Sequence, residues 1–173
     1  MDRRCFMQAA ATLPVAAAAA GVEAATMETA SAPDYLDLVT GLITDWRRKD
    51  AAAVLARVTD DIAWHTHVGS PPVLGKPAMQ QTLDTLAAQM NDVKWRIFSC
   101  AQHGNRFFAE GVDDFVTAEG RRVVIPYAGI LVFRGKLICE WRDYFDRALF
   151  NKLKAGEPVP DYVEALTTRA ALF

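Results

Sequence analysis

VKWRIFSCAQHGNRFFAEGVDDFVTAEGRRVVIPYAGILVFRGKLICEWRDYF, from Val93 to Phe145, is the stretch that decides the fold. It divides into four runs rich in β-branched and aromatic residues: Val93 to Cys100, Arg106 to Thr117, Arg121 to Phe133 and Lys136 to Phe145. Side chains of this kind suit a pleated, half-buried surface, and runs of this length read as strands. Ala118-Glu119-Gly120 and Arg134-Gly135 separate the last three with hairpin chemistry. A meander of long antiparallel strands follows.

The region upstream has a different period. From Asp34 to Arg48, Tyr35, Leu38, Val39, Leu42, Ile43 and Trp46 recur at three- and four-residue spacing, the mark of an amphipathic helix. A short helix from Asp50 to about Val58 follows. Asp60-Asp61 then punctuates a strand from Ile62 to Val68, which Gly69-Ser70-Pro71-Pro72 breaks. Lys76 to Met90 reads as a third helix, with Met79, Leu83, Leu86 and Met90 on one face. Three helices followed by antiparallel strands make an α+β layout, in which a strongly curved sheet wraps the helices and leaves an apolar pocket between them. Arg147 to Leu153 adds a helical turn. The expected organisation is one domain over 34–155 with a C-terminal tail over 156–173.

The N-terminus is another kind of sequence. Arg3-Arg4-Cys5-Phe6-Met7 precedes an Ala-rich apolar run to about Ala20, then Val22-Glu23-Ala24. Basic start, short apolar middle and small residues describe an export signal over 1–25, too short to span a membrane. The paired arginines resemble the twin-arginine type, so the expected location is periplasmic. A loose linker covers 26–33.

Composition narrows the function. The chain has 173 residues, 51% hydrophobic and 23% charged, with a formal net charge of -2. That is enough apolar material for a real core. The charges are scattered, so neither nucleic acid nor an anionic membrane is an expected partner. No CxxC, HExxH, glycine-rich phosphate loop or GxSxG is present, so neither a metal nor another cofactor is expected. Cys100 and Cys139 either pair in an oxidising compartment or serve as small buried hydrophobes, the second being favoured by their apolar runs. A hydrophobic small molecule and a second copy of the chain are the expected partners.

The run Gly135-Lys136-Leu137-Ile138-Cys139-Glu140-Trp141-Arg142-Asp143-Tyr144-Phe145-Asp146 resembles the limonene-1,2-epoxide hydrolase family, part of the NTF2-like group with SnoaL and ketosteroid-isomerase-like proteins. Pro71-Pro72-x-x-Gly75-Lys76 and Glu110-x-Val112-Asp113 match in the same order, and the likeness spans roughly Tyr35 to Phe150. It implies an NTF2-like cone. It also implies two pocket aspartates, on Asp143 and Asp113, that activate water and protonate an epoxide oxygen without a cofactor. The family places an arginine two residues before the second aspartate, where this chain has Gly111. Its tyrosine and asparagine fall on Trp64 and Thr66, or on His65 and His67. The activity expected from this altered set is epoxide hydrolysis, or a lyase, isomerase or dehydratase reaction such as the cofactor-free cleavage of diaryl compounds. The third reading is a non-catalytic carrier.

The residues themselves support a site. Strand alternation sends Asp113 and Asp114 to opposite faces, so one meets the pocket and the other solvent. Asp143 lies between Trp141 and Phe145 on an apolar face, where poor solvation raises its pKa. His65 and His67, two apart, share a face opposite Trp64 and Thr66, and either pair can point inward. Tyr127 adds a phenol. The resemblance places larger residues where this chain has Ala87 and Gly129, which implies a roomier pocket, while Leu86, Met90, Trp141 and Phe145 supply apolar lining.

Overall fold

A computed structural model describes residues 34–173. The export signal over 1–25 and the linker over 26–33 lie outside the described residues. Helix α1 (Tyr35–Arg47) starts at Asp34, whose carboxylate accepts from the Leu36 amide, and buries Val39, Leu42, Ile43 and Trp46 along one stripe. Helix α2 (Ala51–Ala56) is capped in the same way by Asp50. Asp45, only 4% exposed, holds the two together. It accepts from Arg57 Nε and Arg48 Nη2, each at 2.5 Å, a charge satisfied by two guanidinium partners.

Strands β1 (Val58–His65), β2 (Val73–Leu74), β3 (Met90–His103), β4 (Arg106–Thr117), β5 (Arg122–Arg134) and β6 (Leu137–Phe145) form one curled, unclosed sheet in the order β2-β1-β6-β5-β4-β3. Only β1 and β6 run parallel; every other pairing is antiparallel. Helix α3 (Gly75–Gln89) packs against β1 and contributes Met79 and Leu83 to the core. The α+β layout and the three-helix, curved-sheet arrangement expected from the sequence are both present.

Three boundaries differ from expectation for physical reasons. Asp60 and Asp61 do not end a loop but lie within β1 on its outward side, stabilised there by Lys76 and Arg134. Met90 is not the last turn of α3; it opens β3 in an extended conformation, with no loop between helix and strand. Beyond helix α4 (Arg147–Lys154), residues 156–173 form packed structure rather than a loose tail. Helix α5 (Asp161–Glu164) and a 3-10 turn at Ala165–Thr168 place Val163 on Phe98, Val112 and Val124, on the outer face of the sheet. The Leu172 amide donates to the Ile97 carbonyl at 2.7 Å and the Ile97 amide to the Phe173 carbonyl at 3.1 Å. The terminus thus satisfies groups on the open side of β3, the edge strand that pairs with β4 on its other side.

Cys100 and Cys139 are both free and half-buried. Among the described residues, no helix is long and apolar enough to cross a membrane, and no cluster of three or more His, Cys, Asp or Glu side chains is arranged to hold a metal.

Candidate active site

The curl of the sheet sets its inner face against α1 and α3 and leaves a cavity of about 410 Å³. Alternation decides which side chains line it. On β4, Asp113 and Phe115 turn inward; on β6, Trp141, Asp143 and Phe145 do; β5 adds Ile125 and Tyr127, and β3 adds Trp95. Three of the four tryptophans form a continuous stack. Trp64 lies 5.1 Å from Trp141 between ring centroids, and Trp141 lies 5.6 Å from Trp95 with the planes 17° apart. Both expected aspartates open onto this aromatic enclosure, with Tyr127 beside them.

The electrostatics follow from that enclosure. Burial pushes Asp143 up to about 7, against a smaller opposing pull from the Trp141 indole, whose Nε1 donates to Asp143 Oδ1 at 2.9 Å. The Trp64 indole, outside hydrogen-bonding geometry, adds a weaker pull in the same direction, and the charge of Asp113 pushes upward. Burial likewise lifts Asp113 to about 7, with Asp114 raising it further and the more distant Arg47 lowering it. Desolvation is the main cause in both: a carboxylate cut off from water is costly, and the neutral acid is favoured. Neither carboxyl has a salt-bridge partner among the described residues. Burial also raises the Tyr127 phenol above its ordinary value, so it stays protonated and available as a donor. Its hydroxyl now donates to the Arg96 carbonyl at 3.3 Å.

Among the described residues, five buried side-chain polar atoms lack a hydrogen-bond partner, and four belong to this cavity: Trp64 Nε1, Trp95 Nε1, His67 Nδ1 and Asp113 Oδ1. Buried polar groups are nearly always satisfied, and each orphan carries a desolvation cost of about 1–3 kcal/mol. Two indole donors, one carboxyl oxygen and one imidazole nitrogen concentrated around one cavity describe a surface built to receive a polar ligand group.

The histidine alternatives resolve in a mixed way. Trp64 and Thr66 line the cavity, and so does His67, because β1 ends at His65 and the chain bends through 66–67, breaking the alternation. The His67 ring meets Phe145 edge-on at 4.8 Å, and the Val68 amide returns to the Asp143 carbonyl at 2.8 Å. His65 does not belong to the site. It pairs with Arg142 across β1 and β6, and its Nε2 lies 3.9 Å from Glu140 Oε1 on the outward face. Leu86, Met90, Trp141 and Phe145 line the cavity as expected. Ala87 does not: it packs at the edge of the core, and its carbonyl accepts from Lys49. Gly129 lies beneath the lining, where an added Cβ would make ordinary contact with Asp143 Oδ1 at 3.6 Å. Asp114 faces away, as alternation requires, but does not meet solvent. It is 6% exposed under the C-terminal segment and takes two hydrogen bonds from Arg122, at 3.0 and 2.8 Å.

The absence of an arginine two residues before Asp113 has a steric cause. A Cβ on Gly111 would fall 2.0 Å from the Arg96 carbonyl and 2.7 Å from the Tyr127 hydroxyl. No side chain fits where β3 and β4 shift register and Tyr127 crosses over from the partner strand. The phenol of Tyr127 therefore fills the space above Gly111, and a neutral donor stands where a cation would be.

Sequence reasoning missed Trp95, whose signal was available: it is the cross-strand partner of Asp113. It also missed Phe115, which shares the parity of Asp113 on β4, and the mouth residues Arg147 and Lys154 on α4, which no periodicity within the strands could reveal.

Comparison with known proteins agrees with this fold. No curated protein sequence matches the chain. Among solved structures, an LEH-like epoxide hydrolase from Mycobacterium tuberculosis is similar over 69% of this chain and 89% of its own, at 22% identity and a TM-score of 0.60. A SnoaL-like protein assigned as a polyketide cyclase, from Shewanella denitrificans, covers 72% and 99% at 13% identity and a TM-score of 0.66. A protein with a ketosteroid isomerase-like fold from Catenulispora acidiphila, solved with trimethylamine, covers 75% and 100% at 18% identity and a TM-score of 0.63. At these identities the structures speak for the fold. The sequence profile of the SnoaL-like domain matches residues 39–141, most of the described fold, and the chain belongs to that family within the NTF2-like superfamily.

Proposed function

We propose that this chain is a cofactor-free enzyme that moves protons on a hydrophobic small molecule, with Asp143 as base and Asp113 as acid. The observation that carries the reading is the pair of carboxyls in one indole-lined cavity, each lifted by burial to about 7. Two like charges facing one low-dielectric space cannot both ionise cheaply, so the pair holds one proton near neutrality. The surroundings favour its place. Asp143 accepts the Trp141 indole hydrogen bond, which stabilises an anion, while Asp113 has no donor. Asp143 is then the carboxylate that removes a proton from a substrate carbon or an attacking water. Asp113 gives its proton to the substrate oxygen that gains charge. The unpartnered indole N–H groups of Trp64 and Trp95, with the Tyr127 hydroxyl, supply neutral donors to that oxygen. Epoxide opening by water and the isomerisation or elimination of a carbonyl compound both need only these transfers, and both suit a site without a fixed cation.

A substrate-free titration tests the shared proton. Carbon NMR of aspartate carboxyls should show the pair titrating in two separated steps, and Asp113→Asn should lower the Asp143 midpoint by removing its neighbour's charge. Two carboxyls titrating independently near 4 would end the reading. Limonene-1,2-epoxide and a β,γ-unsaturated cyclic ketone of similar size are the first substrates to assay.

A further inference from the structure

We propose that the substrate is a flat, aromatic organic anion, whose ring system lies along the tryptophan stack and whose carboxylate or sulfonate is held at the cavity mouth by Arg147 and Lys154. This rests on the acid/base reading and names its substrate class. The mouth is built by α4. Arg147, Phe150 and Lys154 stand three and seven positions apart, hence on one side of the helix, and all three line the cavity. Neither cation has a carboxylate partner among the described residues. Lys154 Nζ rests 5.5 Å from the centre of the Phe150 ring, and among the described residues the Arg147 side chain has no hydrogen-bond or ion-pair partner. Glu119 also lies at the mouth and feels the charge of Lys154 without forming an ion pair with it or with Arg147, so one carboxylate faces two cations and the rim is net positive. Helix stability accounts for Lys154, in the last turn where the dipole favours a cation. It does not account for Arg147, the first residue of α4, where the helix end is already positive. A guanidinium placed against the dipole, unpaired and facing the cavity, is explained by something negative arriving there.

The interior sets the rest of the ligand. Three stacked indoles cover one another's faces and present their edges to the cavity, a wall that the face of a flat ring meets in edge-to-face contact. The about 410 Å³ enclosed accommodates two or three fused or linked rings. The carboxyl pair holds one proton between its two members and so bears a single charge, which an anion held at the rim keeps away from.

The test compares two fluorescent probes with the same phenyl-naphthylamine body, 8-anilinonaphthalene-1-sulfonate and neutral N-phenyl-1-naphthylamine. The sulfonate should bind about fivefold more tightly at low salt, the scale of two solvent-exposed charge contacts. Raising ionic strength should shrink the ratio. Arg147→Gln with Lys154→Gln should bring it to about one while the neutral probe's Kd holds within about twofold; both side chains are exposed, so folding is not at stake. Equal binding of the two probes, a preference that survives the double substitution, or no binding of either would overturn the proposal. The ratio involves no turnover. A chain that prefers the sulfonate but whose Asp143→Asn variant reacts like wild type keeps this inference and loses the acid/base reading.

Discussion

Asp113 and Asp114 are consecutive on one strand, and protein covers both, yet their surroundings are opposite. Asp114, on the outer face, receives both arms of Arg122, which also binds Glu164 of the C-terminal segment. Asp113, on the inner face, has no donor among the described residues and an oxygen buried without a partner. The outer face of β4 thus satisfies its charge and gains rigidity; the inner face leaves its charge unsatisfied and gains chemistry. Burial alone does not mark a functional carboxyl. Burial with the partner withheld does, because nothing else in the fold repays the desolvation.

The contrast breaks most severely at Gly111, on the inner face. Gly111→Ala should cost about 3 kcal/mol in urea denaturation, since the new methyl meets a main-chain carbonyl rather than a movable side chain. Tyr127→Phe in the same background should recover only part of it, because the Arg96 carbonyl is the nearer obstacle. A Gly111→Ala protein as stable as wild type would show that the two strands can part and that an arginine is not sterically barred. The next effect separates the two aspartates by function. With a substrate in hand, Asp113→Asn should lower kcat by about 10²-fold, the scale of a positioned acid, and Asp114→Asn should stay within about threefold. Equal losses in both would mean that Asp113 matters only as structure.

The same strand shows what the sequence could and could not tell. Alternation along Gly111-Val112-Asp113-Asp114-Phe115 separates Asp113 from Asp114, and the family resemblance selects Asp113 as the inward one; on β6 the apolar neighbours Trp141 and Phe145 place Asp143 inward. These are local facts, fixed by a period of two. Where the argument failed, the cause was non-local. Asp114 was expected in solvent because nothing in its own strand shows that Val163 and Arg122 would close over it. Strand alternation puts His65 and His67 on one face, and this fails because the bend at the end of β1 is set by the return of Val68 to β6, not by the histidines. Arg147 and Lys154 reach the cavity only because α4 folds back across its mouth, a placement that no single element's pattern contains.

The smallest of the expected effects compares the two aspartates by stability against pH. For Asp113, burial raises the folded-state value from 3.8 to about 7. Between those values the native protein binds a proton that the unfolded chain has released, so stability is fully present below about 4 and is lost as pH rises through about 7. A raised carboxyl is therefore a liability at pH 8. Asp113→Asn removes it, and the variant should gain about 2 kcal/mol relative to wild type on going from pH 4 to pH 8. The full shift would correspond to more, about 1.4 kcal/mol per unit, but a proton shared with Asp143 divides the cost between the two groups. Asp114→Asn should move the other way. It leaves Arg122, itself 40% exposed, with Glu164 as its remaining partner, and should lose about 1 kcal/mol at neutral pH. Guanidinium melts of the three proteins at pH 4, 6 and 8 supply the measurement. If Asp113→Asn loses stability at pH 8 as Asp114→Asn does, the inner carboxyl has a partner, and the opposition between the two faces of β4 fails.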